Sequence, residues 1–399
     1  MLWFNAVVFV RTLPGIAKGY RDFTVFYTAG TILRHHLGDQ LYDSRLQHQV
    51  QQTFTHRQGF SKGPLPYIHP PFEALIFVPF ALLPYVQAFF AWNIWNLLAL
   101  AIVAMVIRQR VPLFASVSVL EFVLSSLAFY PSFSCILHGQ DSILLLLMFT
   151  LAFRSLDQGA DFRAGGWLGL ACIKFQFVVP LVLLYAIWSR KKILAGFAAV
   201  AAALAAISLA ITGVSGMAQY PRFATHVAET PAVGGVPAEF LPNIKGLAMG
   251  WPGLSGDAGK ILAAALSVLV FLLAAWVGRK AREVDGARLQ FSLAVVVSGL
   301  VAWQTNAHDW SLLILPLVLV ADYVYRVKDQ PGFSLLAPTL PVLISPLWLL
   351  LWLVLTQANL IAVPLLWWAW KIGRELWRRA QSMAVSVSLS SPNQESLAQ

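Results

Sequence analysis

VQAFFAWNIWNLLALAIVAMVI, residues 86–107, runs straight into Arg108 and Arg110. The stretch carries no charge and exceeds the ~20 apolar residues that cross a bilayer. Basic residues directly behind such a run mark an end that stays in the cytoplasm. The pattern recurs along the chain, with further apolar runs near 112–130, 140–153, 164–188, 193–212, 259–278, 289–305, 309–325, 335–356 and 358–370. Basic clusters lie between them at Arg108/Arg110, Arg154/Arg163, Arg190–Lys192, Arg279/Lys280/Arg282/Arg288, Arg326/Lys328 and Lys371/Arg374/Arg378/Arg379. This is the pattern of an all-α integral membrane chain, a polytopic helical bundle of about ten to twelve segments.

Composition agrees. The 399 residues are 58% hydrophobic and 12% charged, against roughly 45–50% and about 25% in soluble domains, which excludes a soluble multidomain enzyme. The net charge of +10 sits in the loops, where topology requires it, so it gives no reason to expect nucleic acid. Cys135 and Cys172 have no partner at metal-ligand spacing and read as packing residues.

With all six basic clusters on the cytoplasmic side, the other side receives residues near 19–69, 130–140 and 213–259, joined by Asn306–Asp309. Run 164–188 has basic residues at both ends, so it must cross twice or not at all. A broken hairpin with Lys174, Phe175 and Gln176 at its apex satisfies this. A lysine inside so apolar a run faces a wet cavity or a partner, or else snorkels from a helix end.

Leu46, Val50 and Phe54 form a helical stripe on a polar run, expected either to lie on the outer leaflet or to pack on neighbouring protein. Residues 1–13 are apolar but interrupted by Arg11 and Pro14, which reads as a short or truncated first helix. A signal peptide is the alternative, without a clear cleavage site. The membrane domain is expected over 1–380. The Ser-rich residues 381–399 read as a disordered cytoplasmic tail.

Charged and polar side chains at the outer membrane edge are the candidates for chemistry. Asp22 opens a helix whose one face carries Phe23, Phe26, Tyr27 and Gly30; it reads as a reactive carboxylate or as an N-cap. His69 stands before Pro70-Pro71, His138-Gly139-Gln140-Asp141 before another span, and His308-Asp309 before a third. Asn243 and Lys245 lie in the long outer segment. There is no His-Glu-x-x-His and no Walker loop. No outer Asp-x-Asp or Glu-x-Asp stands ready for a metal-bound sugar donor, since Glu283/Asp285 falls in a basic loop. No polar segment is long enough for a nucleotide-binding domain. A donor arriving through the lipid phase fits what remains.

The run Asp22-Phe-Thr-Val-Phe-Tyr-Thr-Ala-Gly30 with Leu41-Tyr42-Asp43, then Tyr67-Ile-His-Pro-Pro71 and Phe77-Val-Pro-Phe-Ala-Leu-Leu-Pro84, resembles the family 87 glycosyltransferases. Gly139-Gln140-Asp141-Ser142, Gly165-Gly166-Trp-Leu-Gly-Leu-Ala-Cys-Ile-Lys174 and His308-Asp309 before Leu312 follow in the family's order. Two positions depart from its pattern: Phe175 stands where proline usually follows the lysine, and His69 where tyrosine usually precedes Pro-Pro.

The resemblance implies a membrane enzyme of the GT-C type that transfers a hexose, mannose in the first place, from a polyprenyl-phosphate-sugar donor to a lipid or glycan acceptor. It implies an extracytoplasmic site in the cell membrane, no cofactor and no metal. Asp22 then corresponds to the catalytic base, with Tyr27, His69, Gln140, Lys174, Asn243, Lys245, His308 and Asp309 as substrate-binding residues, His308 and Lys174 foremost for the phosphate. The competing reading is a transporter or flippase of lipid-linked sugars, which usually shows pseudo-symmetric halves; no internal repeat is visible here.

Overall fold

The computed structural model describes residues 1–19, 22–55, 65–230, 235–254, 256–279, 284–327 and 332–390, and every regular element among them is helical. Arg21, Lys280, Arg282, Glu283, Lys328 and the tail from residue 391 lie outside the described residues. Five helical passages are long and apolar enough to cross a membrane: Tyr85–Arg110, Asp161–Ile187, Lys191–Val227, Asp257–Gly278 and Ala307–Arg326. Two bent pairs, Val119–Ala128 with Tyr130–His138 and Ser334–Leu343 with Ser345–Val354, raise the total to seven if each is one span. The chain is a multi-pass, all-α membrane protein. The remaining apolar runs form shorter helices: Ser142–Asp157 has 16 residues, and Leu2–Ala17, also 16, is anchored by Asn5 Nδ2 donating to the Leu127 carbonyl at 2.9 Å.

Local chemistry sets the element ends. Pro84 opens the 85–110 helix, and Val111-Pro112 closes it behind Arg108 and Arg110, because proline offers no N–H to continue the ladder. Pro131 starts the second arm of the 119–138 pair, which turns by 86°.

The passage from Asp161 to Ile187 counts as one apolar stretch of 27 residues, and at 1.5 Å per residue a straight helix of that length would separate its ends by roughly 40 Å. Instead Arg190 Nη1 lies 4.0 Å from Asp161 Oδ2, and Asp161, Tyr185 and Arg190 line one cavity. The passage therefore goes in as Asp161–Leu170, turns through Ala171–Lys174, and returns as Phe175–Ile187. It is the broken hairpin expected from its basic flanks, with Lys174 at the apex. Gly165 and Gly196 let its first arm touch the 191–229 helix, since a Cβ on either would collide with the carbonyl oxygen of Ile193 or Phe162. Such small-residue contacts are a common way to close two membrane helices.

The amphipathic stripe packs on protein. Leu46, Val50 and Phe54 lie against the core, while Gln47 and Gln51, both fully buried, bond the backbone of Leu41, Leu65 and Tyr67. This clamps the chain that leads into His69. The helix Lys191–Glu229 continues past a kink at Gly213 (φ 65°) into the segment expected to be a polar outer loop. At the other end, Ala362–Ser390 is one helix, so residues 381–390 are helical where composition suggested a disordered tail. No glycine or proline interrupts the sequence there, and a formed helix propagates at little cost.

Basic residues from distant segments meet at one end of the bundle. Arg288 bridges Asp157 at 2.8 Å and Asp322 at 3.1 Å, donates to the Arg110 carbonyl, and shares Asp322 with Arg326. The polar residues singled out from sequence gather at the other end of the same helices: Ser142 and Asp157 bound one helix, roughly 22 Å apart at 1.5 Å per residue.

Candidate active site

Asp22 precedes the helix Phe23–Arg34, yet its side chain caps nothing. Its Oδ2 accepts a hydrogen bond from Gln140 Nε2 at 2.8 Å and lies 3.7 Å from His138 Nδ1. The N-cap alternative is thereby removed. Gly139 explains how Gln140 arrives there. The helix Tyr130–His138 ends on Gly139 at φ 66°, with Gln140 N bonding back to the Cys135 carbonyl at 2.9 Å. This left-handed C-terminal turn suits glycine. A side chain there would also meet Phe23, since an added Cβ lies 2.7 Å from Phe23 Cβ. The Gln140 carbonyl is then held by Trp92 Nε1 at 3.2 Å and Asn96 Nδ2 at 3.0 Å.

One residue further, Asp141 and Ser142 open the next helix and meet the apex of the hairpin. Lys174 Nζ lies 2.9 Å from Asp141 Oδ1, 3.0 Å from Ser142 Oγ and 2.6 Å from Asp309 Oδ1. Asp309 is fixed in turn by a capping box, its Oδ2 accepting from Asn306 N at 2.7 Å. His308 Nε2 is 3.5 Å from Asp309 Oδ1. His69 Nδ1 pairs with Glu73 Oε2 at 2.9 Å, an i,i+4 contact made across the rigid Pro70-Pro71 turn.

Two adjoining cavities are built on these groups. One of about 330 Å³ is bordered by Lys174, Gln176, Trp303 and Asp309; the other, about 310 Å³, by Asp22, His138, Tyr130 and Trp352. His69, Gln140, Asn306 and His308 border both. The result is a two-chambered site with a carboxylate in one chamber and a buried ion cluster in the other.

The Asp22 side chain is 41% exposed; its partial burial would raise the carboxyl, but the charges of His138 and His308 and the Gln140 hydrogen bond outweigh it and hold it below the ordinary 3.8. Burial pushes Glu73 up, and Asp141 beside it adds to the effect. For His69, burial alone would lower the imidazole; the Glu73 carboxylate reverses that and raises it. His69, Glu73 and Asp141 offer three ligand atoms within 4.8 Å of one another. Sequence inspection missed this carboxylate pair because Glu73 and Asp141 are distant in the chain. Its charge is already met by Lys174 on Asp141 and His69 on Glu73.

A family model described as glycosyltransferase family 87 matches residues 67–316, well over half of the chain. The chain belongs to glycosyltransferase family 87. No curated protein and no solved structure was found to match it. Membership makes the chain a multi-pass membrane glycosyltransferase, and the matched stretch contains His69, Glu73, His138, Gln140, Asp141, Lys174, His308 and Asp309, while Asp22 lies before it.

Of the residues expected from sequence, Asp22, His69, Gln140, Lys174, His308 and Asp309 converge on the two chambers of this family 87 glycosyltransferase. Three others lie elsewhere. Tyr27 donates to the Leu83 carbonyl at 2.8 Å and packs among Phe54 and Tyr85, so it supports the wall behind Asp22. Asn243 caps Ile244–Met249 and bonds the Ala302 carbonyl. Lys245 lies 4.5 Å over the Trp303 ring and borders a third cavity, of about 450 Å³, which shares Trp303 with the first chamber and Val236 with the second. Glu73 was missed, although an acid inside so apolar a run is itself a signal.

Proposed function

We propose that this glycosyltransferase moves a hexose, mannose in the first place, from a polyprenyl-phosphate-sugar to a lipid or glycan acceptor, by an inverting GT-C type reaction at the extracytoplasmic face and without a metal. The observation that carries the reading is Asp22. It is a carboxylate excluded from capping, held in its charged form, and aimed into a chamber that adjoins the buried cation. In the reaction the acceptor oxygen attacks the anomeric carbon as the bond from that carbon to the phosphate oxygen breaks. The acceptor proton passes to Asp22, a general-base role worth about 10²–10⁴ in rate. The polyprenyl phosphate leaves with one more negative charge than it carried in the donor, so groups that meet that charge act mainly in the transition state.

His308, on the wall between the chambers, is the group we assign to the phosphate. Lys174 is better read as the organiser of the site than as a phosphate ligand, since its ammonium is shared by two carboxylates and a hydroxyl. The gathering of Arg110, Arg288 and Arg326 at the far end supports an extracytoplasmic site, because basic residues stay in the cytoplasm. The test is to incubate purified protein with labelled polyprenyl-phosphate-mannose and a membrane lipid extract, with and without EDTA. Label in a new product in both samples is expected. Transfer from nucleotide sugars instead, or complete loss with EDTA, would overturn the reading.

A further inference from the structure

The His69 imidazole is held by three neighbours. Its Nδ1 pairs with Glu73 Oε2 at 2.9 Å, and Glu73 is fully buried. Its ring meets Phe26 edge-on at 4.8 Å and stacks on Tyr67 at 5.6 Å with the planes 29° apart. Its carbonyl accepts from the Tyr42 hydroxyl at 2.8 Å, and the Tyr67 hydroxyl donates to the next carbonyl, Pro70, at 2.9 Å. With Nδ1 engaged, Nε2 is the ring nitrogen left for the chambers, both of which His69 borders.

Two states of the pair leave Nε2 a donor. A cationic imidazole donates from both nitrogens, and a neutral one that accepts at Nδ1 from a protonated Glu73 keeps its hydrogen on Nε2. The groups facing the pair are Asp141 and Lys174 from the hairpin cluster and the phenols of Tyr42, Tyr67 and Tyr220. Lys174 is committed to Asp141 and Asp309, which leaves His69 Nε2 as a second donor beside His308 on the wall between the chambers.

We propose that His69 Nε2 donates to the released phosphate of the polyprenyl donor, and that Glu73 is the positioning residue that fixes the ring for it. The inference rests on the donor class argued above and adds the pair that recognises it. At the anomeric centre the phosphate oxygen takes the electrons of the broken bond and no proton, and Nε2–H meets the charge so formed.

The experiment measures binding of undecaprenyl monophosphate to the purified, detergent-solubilised full chain, which needs no turnover. H69A should weaken binding about 10-fold or more, the scale of one hydrogen bond to a charged group. E73L should weaken it similarly, and the H69A/E73L double variant should bind no worse than H69A alone, because without the imidazole there is nothing to position. E73Q, which keeps the shape of the site, guards against a folding defect: it should show the same non-additivity on a smaller single effect. Equal losses with and without His69, or no loss in either Glu73 variant, would overturn the inference. Binding that vanishes with EDTA and returns with a divalent ion would overturn it too, assigning His69, Glu73 and Asp141 to a cation. Failure of the wild-type protein to bind undecaprenyl monophosphate would instead count against the donor class.

Discussion

Gln140 Nε2 donates to Asp22 Oδ2 at 2.8 Å across a sequence separation of 118 residues. The bond joins the start of one helix to the turn that closes another, and it fixes both the aim and the charge of the carboxylate. Because Gln140 also supports the neighbouring ion cluster through its chain neighbour Asp141, one turn aligns the two chambers.

The charge of Asp22 sets an acid limit. Its folded pKa lies below the ordinary 3.8, so the carboxylate that must accept a proton stays charged as pH falls, until the pH passes below that value. The kcat/KM profile of the wild type should therefore show no acid limb from Asp22 above about pH 4. Gln140→Ala removes one of the groups that lower it, so an acid limb should move to higher pH. An unmoved limb in this variant would mean that the hydrogen bond does not hold the charge.

Lys174→Met should be among the most damaging changes in the chain. The side chain is 4% exposed and neutralises Asp141 and Asp309, each 1% exposed. Removing one partner of a buried pair costs about 3–5 kcal/mol, and here two carboxylates are stranded. Thermal unfolding in detergent should show a large fall in Tm, relieved in part by adding Asp309→Asn. A Tm equal to wild type would contradict the cluster.

Arg288→Ala should separate stability from chemistry. Its guanidinium ties Asp157, Asp322 and the Arg110 carbonyl together at the end away from the site. The variant should unfold at lower temperature while kcat of the folded fraction stays within about twofold of wild type, since sites this far apart act additively.

The orientation can be read by labelling. Gln52 is exposed beside the site and Lys192 is exposed at the basic end. On a Cys172→Ala background, an impermeant maleimide should mark Gln52→Cys and leave Lys192→Cys unmarked in intact cells. The reverse pattern would place the site in the cytoplasm.

How much of this was legible beforehand follows from the range of each interaction. Asp22, Lys174 and His308 stood out because a charge or imidazole in apolar surroundings needs a reason, and the hairpin because its two flanks are basic. The pairing of Lys174 with Asp309 was not legible, as 135 residues separate them and no local rule links them. The stripe at Leu46, Val50 and Phe54 announced a buried face without saying what covers it; the structure covers it with protein and turns Gln47 and Gln51 into the clamp for Tyr67 and Leu65. Tyr27 shared the helical face of a candidate site, but a helix face says nothing of which side chains reach the cavity.

The most direct measurement is sugar transfer by Asp22→Asn. The amide keeps the shape and can stay within reach of Gln140, and no capping bond is lost because none is made. Purified Asp22→Asn should insert, unfold near the wild-type temperature and bind undecaprenyl monophosphate as the wild type does. Its transfer from labelled polyprenyl-phosphate-mannose should fall by about 10² or more, the contribution of a general base. Turnover within a few-fold of wild type would contradict the assignment of Asp22 as the group that takes the acceptor proton.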